Sequence, residues 1–297
     1  MDRASSSAGR LTLRALSCAM AVPLLAGCAG PLEALPASSG GAIGTVSRPT
    51  EGAALRVLPP AAVPYGTAPI AIIPRTTPAR RLTPADRLPL GSFTVNAATQ
   101  RNEPVLGDLS RAAVLIGDSQ SEPTDSWVRR GLEHAGYSVY FAGSGGTGYS
   151  VGIPKVHDYA NALRLGDWRL PAGRPRLVVV QGGGNDASRN SADSAIANGA
   201  ITLFAELRRT YPGARIVMVG TLAKSAADGG GRRTEVDALL QRTAAALDVP
   251  FVGCGDWISR YGLAGELVDG VHLSPQGKAR LAPVFADALA ARGLALS

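Results

Sequence analysis

The sequence predicts an α/β domain built on a doubly wound, mainly parallel sheet. From about Val105 onward, short apolar runs alternate with longer amphipathic segments. The runs are apolar throughout instead of alternating, the pattern of strands covered on both faces. About 190 residues follow that onset, enough for one domain with a full core. Strands that alternate with helices imply parallel pairing through crossover connections.

Ala112–Ile116 is the first strand, and Ser126–Ala135 follows as an amphipathic helix. Ser138–Ala142, Leu177–Val180 and Ile216–Val219 read as further buried strands, with a helix at Ala192–Arg209 between the last two. A helix at Thr234–Ala246 leads to Val249–Val252, a weaker strand candidate because Pro250 interrupts it. The last helix, Pro275–Arg292, has Pro at its first position after Ser274 as N-cap.

The N-terminal third has a different character. Arg3, Arg10 and Arg14 precede the short apolar stretch Leu16–Leu25, which is too short to span a bilayer and fits an export signal. Leu25-Ala26-Gly27-Cys28 resembles a bacterial lipobox, which implies cleavage of residues 1–27 and lipidation of Cys28. Residues 28–104 read as a linker, since twelve of the 21 prolines lie there and no helical or strand period is sustained. Within it, Ala68–Ile73 could dock on the domain as a strand. With Cys18 removed and Cys28 lipidated, Cys254 is left as a lone, buried thiol, and no Cys/His cluster has the spacing of a metal site.

The formal charge of +7 falls to about +5 once three Arg and one Asp leave with the signal. On an exported protein that charge favours anionic lipid or envelope polymer. No nucleic-acid module is present, and aromatic residues are too sparse for a stacking platform.

Four short motifs carry the chemistry. Ser119, in Gly117-Asp118-Ser119, follows the first strand, where doubly wound sheets place reactive loops, and offers a hydroxyl nucleophile. Asp118 beside it reads as a carboxylate that bonds the turn. Asn185, in Gly183-Gly184-Asn185-Asp186, follows the most apolar strand and can aim an amide at a developing oxyanion, or simply form the turn. Asp186 reads as a tie for its own loop. In Asp269-Gly270-Val271-His272 the spacing lets the carboxylate hold one ring nitrogen while the other faces the serine. His134 and His157 read as surface residues in polar surroundings.

The cluster Gly143-Ser144-Gly145-Gly146-Thr147-Gly148 has three readings. It matches a dinucleotide fingerprint, and it contains a degenerate nucleophile elbow around Ser144. Both need a helix to open at once, and Gly152 and Pro154 oppose one. The third reading is a loop that presents a backbone N–H to an oxyanion.

The four motifs in this order resemble the SGNH (GDSL-type) hydrolase family, from about Val105 to the C-terminus. The resemblance implies a flavodoxin-like three-layer sandwich around a mainly parallel five-stranded sheet. It implies a serine esterase with Ser119, His272 and Asp269 as triad. The oxyanion hole would be formed by the Ser119 N–H, the Gly146 N–H (Gly145 being the fallback) and the Asn185 side chain. No metal or organic cofactor is implied, and the partner is a small-molecule or carbohydrate ester, with short acyl groups favoured because no long apolar insertion suggests a lid. An acyltransferase using the same residues and a binding lipoprotein without turnover are the alternatives. The sequence departs from the family at Gln120-Ser121-Glu122-Pro123, where a leucine and a following glycine are often found.

Overall fold

The computed structural model describes residues 85–296. The expected export signal, Cys28, the strand candidate at 68–73 and the rest of the expected linker up to residue 84 lie outside them. In chain order, β1 (Phe93–Val95) and β2 (Asn102–Pro104) precede β3 (Ala112–Gly117), α1 (Trp127–His134), β4 (Ser138–Gly143) and α2 (Tyr159–Leu165). Next come β5 (Leu177–Gln181), α3 (Gly184–Ser188), α4 (Asp193–Thr210), β6 (Arg215–Val219) and α5 (Gly231–Ala246). β7 (Phe251–Val252), α6 (Trp257–Arg260) and α7 (Pro275–Ala290) complete the chain.

β3 to β7 form one parallel five-stranded sheet, as expected, and its strand order is β4-β3-β5-β6-β7. Alternate residues of its central strands supply two separate cores. Val114, Ile116, Val178, Val180 and Met218 face α2, α4 and α5, against Tyr159, Phe204 and Leu240. Ala113, Leu115, Val179, Val217 and Val219 face α1 and α7, against Trp127 and Phe285. Trp127 meets Phe285 and Trp257 edge to face, at centroid distances of 5.4 and 5.8 Å. Each fully buried aliphatic side chain contributes about 1.5–3 kcal/mol by leaving water, so both faces are strongly covered.

The linker expectation is corrected at its C-terminal end. Residues 93–104 fold as an antiparallel hairpin, with Thr94 opposite Glu103. Arg101 pairs with Glu206 at 2.7 Å and Asn96 donates to the Thr210 carbonyl at 3.2 Å, which fixes the hairpin on α4. Two three-residue strands rich in polar side chains carry no readable period. Their stability comes from contacts more than 100 residues away in the chain.

Local capping explains the helix starts. Ser126 accepts from the Arg129 N–H, Asp158 from Asn161 and Ser274 from Gly277. α5 begins at Gly231, three residues before the expected Thr234, without a side-chain cap. The short helices α2, α3 and α6 lack the length for a visible period and were not expected.

Candidate active site

The first and second β-strands of the main sheet, β3 and β4, lie side by side, while β5 flanks β3 on the other edge. The chain therefore reverses direction of winding at β3, and a crevice opens there at the carboxyl ends of the strands. Three of the four motifs reach that crevice on the loops that leave β3, β4 and β5.

Ser119 lies two residues beyond β3. The turn is held by buried Asp118, whose Oδ1 accepts the Gln120 N–H at 2.9 Å, as the sequence suggested. Burial pushes the Asp118 carboxyl up to about 6, opposed by that hydrogen bond and the charge of Arg233. The fourth motif arrives from the far end of the chain. A bridge between Leu267 and Leu273 closes a tight loop in which Val268 N–H donates to the His272 carbonyl at 2.9 Å.

The structure brings Ser119, His272 and Asp269 into one hydrogen-bonded line. His272 Nε2 lies 2.7 Å from Ser119 Oγ, and His272 Nδ1 lies 2.7 Å from Asp269 Oδ2. The Asp269 carboxylate also accepts the backbone N–H groups of Val271 and His272, at 2.9 and 2.7 Å. Its hydrogen bond to the ring, then those amides, hold its carboxyl well below the usual range. It therefore stays ionised at any ordinary pH and fixes the ring as a donor at Nδ1, which leaves Nε2 to accept from a serine hydroxyl.

Two glycines of the loop after β4 are the candidate backbone donors. Gly145 donates its N–H to Glu122 Oε2 at 3.0 Å, and a Cβ on it would stand 3.3 Å from Ser119 Cβ. Gly146 sits at φ +82°, a left-handed conformation that costs glycine nothing. Among the described residues, neither the Gly146 nor the Ser119 N–H has a protein acceptor. Asn185 Nδ2 donates to the Thr147 carbonyl at 2.9 Å and lies 3.4 Å from Asp118 Oδ2, which joins its loop to the loop after β4. Asp186 strengthens that junction by accepting the N–H groups of Tyr149 and Ser150.

No helix follows Gly148; residues 149–158 are irregular, with one bridge between Ile153 and Val156. The fingerprint and elbow readings thus lack the helix they need, and the histidine bonds Ser119, not Ser144. His134 is exposed, and half-exposed His157 pairs with Asp167 at 2.7 Å. Cys254 is fully buried, and burial raises its thiol well above the usual value.

One residue that sequence reasoning missed joins the two halves of the site. Gln120 is buried and donates from Nε2 to the Val271 carbonyl at 3.0 Å, while its Oε1 accepts the Trp127 Nε1–H at 3.2 Å. It links the Ser119 turn, the histidine loop and the core. A polar residue in a loop carries no local signal of such a role. Lys278 on α7 adds an ion pair to Asp125 at 3.1 Å across the same gap.

The family match defines the class, an SGNH-type hydrolase that acts on ester bonds. The chain belongs to the GDSL-like lipase/acylhydrolase family, whose model matches residues 106–280. Among solved structures it is similar to an active-site mutant of a family two carbohydrate esterase from Clostridium thermocellum, at 17% identity and a TM-score of 0.49 over 65% of this chain and 68% of that one. It is also similar to a carbohydrate acetylesterase from Sinorhizobium meliloti, at 22% identity and a TM-score of 0.45, covering 61% of this chain and 99% of that one. An aryl esterase from M. smegmatis is similar at 20% identity and a TM-score of 0.45, covering 62% and 99%. No curated protein matches the chain.

Proposed function

We propose that this protein is an exported, lipid-anchored serine esterase that hydrolyses short-chain acyl esters, carbohydrate esters included, with Ser119, His272 and Asp269 as its triad. The observation that carries the reading is the continuous line from Asp269 Oδ2 through the imidazole to Ser119 Oγ, with 2.7 Å at each contact. Ser119 Oγ attacks the ester carbonyl carbon as its proton passes to His272 Nε2, and the carbonyl π electrons move onto oxygen. The N–H groups of Ser119 and Gly146 stabilise that oxyanion, and the Asn185 amide joins them by turning the hydrogen of its longer contact, 3.4 Å from Asp118 Oδ2, toward the substrate. Collapse expels the alcohol, which takes the proton from His272. Water then adds to the acyl-serine with the same base, releasing the acid and restoring the hydroxyl.

The availability of the Ser119 and Gly146 amides supports their assignment, while the Gly145 amide is already engaged by Glu122. Ser119→Ala should abolish both hydrolysis of 4-nitrophenyl acetate and labelling by a serine-directed phosphonate, and Ser144→Ala should retain both. The opposite pattern would transfer the nucleophile to Ser144 and sink the assignment.

The anchoring half of the proposal rests on Leu25-Ala26-Gly27-Cys28 alone. Intact mass of the mature chain should show acyl groups on Cys28, and Cys28→Ser should leave the membrane fraction or remain unprocessed. An unmodified N-terminus elsewhere would reduce the proposal to simple secretion.

A further inference from the structure

Beside the histidine loop lies a cavity of about 150 Å³. Gly270 and Val271, the two residues between Asp269 and His272, form one wall, and Leu222, Ile258 and Leu267 supply apolar surface. Lys224 and Arg233 supply its charge, and among the described residues no acidic side chain lines it.

The two cations are not used up by the fold. Arg233 Nε donates to the Leu222 carbonyl at 3.1 Å and Nη1 to the Gly184 carbonyl at 3.3 Å. Among the described residues, Nη2 has no acceptor, Lys224 Nζ has no hydrogen bond, and neither cation has a carboxylate within 4.0 Å. Gly184 makes room for the guanidinium, since a Cβ there would stand 2.7 Å from Nη2. Two carboxylates lie in the neighbourhood. Asp118 acts on Arg233 only through space, and Asp228 is engaged by Ser225, whose hydroxyl donates to it at 2.6 Å. Both cations are half-buried, so part of their hydration is lost without an ion pair to replace it. A guanidinium with free N–H groups beside an ammonium is suited to a carboxylate, and the apolar walls suit the few carbons that would carry it.

We infer that this cavity is a substrate subsite for a carboxylate, so that the preferred esters bear a negative charge a few bonds from the scissile carbonyl. The inference rests on the proposed reaction at Ser119, because the cavity shares the Gly270–Val271 segment with the loop that carries Asp269 and His272, and its Arg233 donates to the Gly184 carbonyl next to Asn185.

The test compares kcat/KM for two pairs of esters on the full chain. 4-Nitrophenyl hydrogen glutarate against 4-nitrophenyl pentanoate places the charge on the acyl side. 3-Acetoxybenzoate against its methyl ester places it on the alcohol side. One pair should favour the anion by about tenfold or more, the size of one hydrogen bond to a charged group. Lys224→Met and Arg233→Gln should each lower that ratio several-fold, Arg233→Lys should keep part of it, and added salt should shrink it. Since Arg233 also braces two carbonyls, Lys224→Met is the decisive variant if Arg233→Gln fails to fold. Turnover of all four esters without an anion preference, or a preference that survives Lys224→Met, overturns the subsite alone. Absence of turnover on all four overturns the reaction at Ser119 and the subsite with it.

Discussion

Gln120→Leu removes a buried side chain that helps tie the Ser119 turn to the histidine loop, and its cost can be worked from two hydrogen bonds. The substitution keeps a similar volume and restores the residue type often found in the family. It deletes the acceptor of the Trp127 indole N–H, which is buried, and the donor to the Val271 carbonyl, which is half-buried. An orphaned buried donor costs about 1–3 kcal/mol, while the carbonyl can be reached by water and costs less. The added apolar contact offsets part of this, leaving a net loss of about 2 kcal/mol. For a domain of this size that lowers Tm by about 4–8 °C. The functional cost is separate and follows from the proposed role of His272: Val271 precedes it, and misplacing a catalytic group by about 1 Å can cost about 10²-fold. We expect kcat to fall about 10- to 100-fold with a smaller change in KM. Gln120→Glu separates the two bonds, because it keeps an acceptor for Trp127 but turns a lone pair toward the Val271 carbonyl. It should therefore lose kcat while tryptophan fluorescence still reports a native Trp127 environment. Thermal unfolding followed by that fluorescence, beside initial rates on 4-nitrophenyl acetate, measures both effects. A leucine variant with wild-type Tm and wild-type kcat would show that Gln120 holds neither element in place.

Other perturbations address separate parts of the molecule. If Asn185 acts on charge that develops in the transition state, Asn185→Ala should lower kcat about 10²- to 10³-fold with little change in KM; a raised KM at wild-type kcat would limit it to joining the two loops. Asp269→Asn should lower kcat far more than KM, since the amide cannot stabilise the imidazolium; a wild-type rate would remove Asp269 from the mechanism. Burial pushes the Glu103 carboxyl up to about 7 from an unfolded value of 4.5, against its bond from Asn96 and the charge of Arg101. The folded state thus holds that proton more tightly, and its stabilising effect is complete below about pH 4.5 and lost as pH rises through about 7. Glu103→Gln should flatten the fall in Tm across that window, and an equally steep fall in the variant would locate the titrating group elsewhere.

The order of strands and helices was legible because it depends on local periodicity. Runs such as Leu177–Val180 are apolar at every position because both faces of the sheet are covered, and Ser126 and Ser274 announce their helices by capping them. The resemblance to a known family was legible for a related reason. Each motif is a few contiguous residues at a strand end, and Asp269 and His272 are close enough in sequence to meet within one loop.

What only tertiary structure decides is whatever depends on two distant segments meeting. Ser119 and His272 are 153 residues apart, and their separation is set by the packing of α1 on α7, by Gln120 and by the Lys278–Asp125 pair. The hairpin at 93–104 was hidden inside a proline-rich stretch because its partners, Glu206 and Thr210, belong to α4. Glu122 engages Gly145 and leaves the Gly146 amide free, a distinction no spacing rule contains. Arg233 is one of many arginines in the sequence, and only the fold sets it beside the histidine loop with no carboxylate within 4.0 Å among the described residues. Sequence patterns report short-range geometry and the sidedness of burial, whereas charges, orphan donors and cavities are properties of surfaces that exist only after the chain has closed on itself.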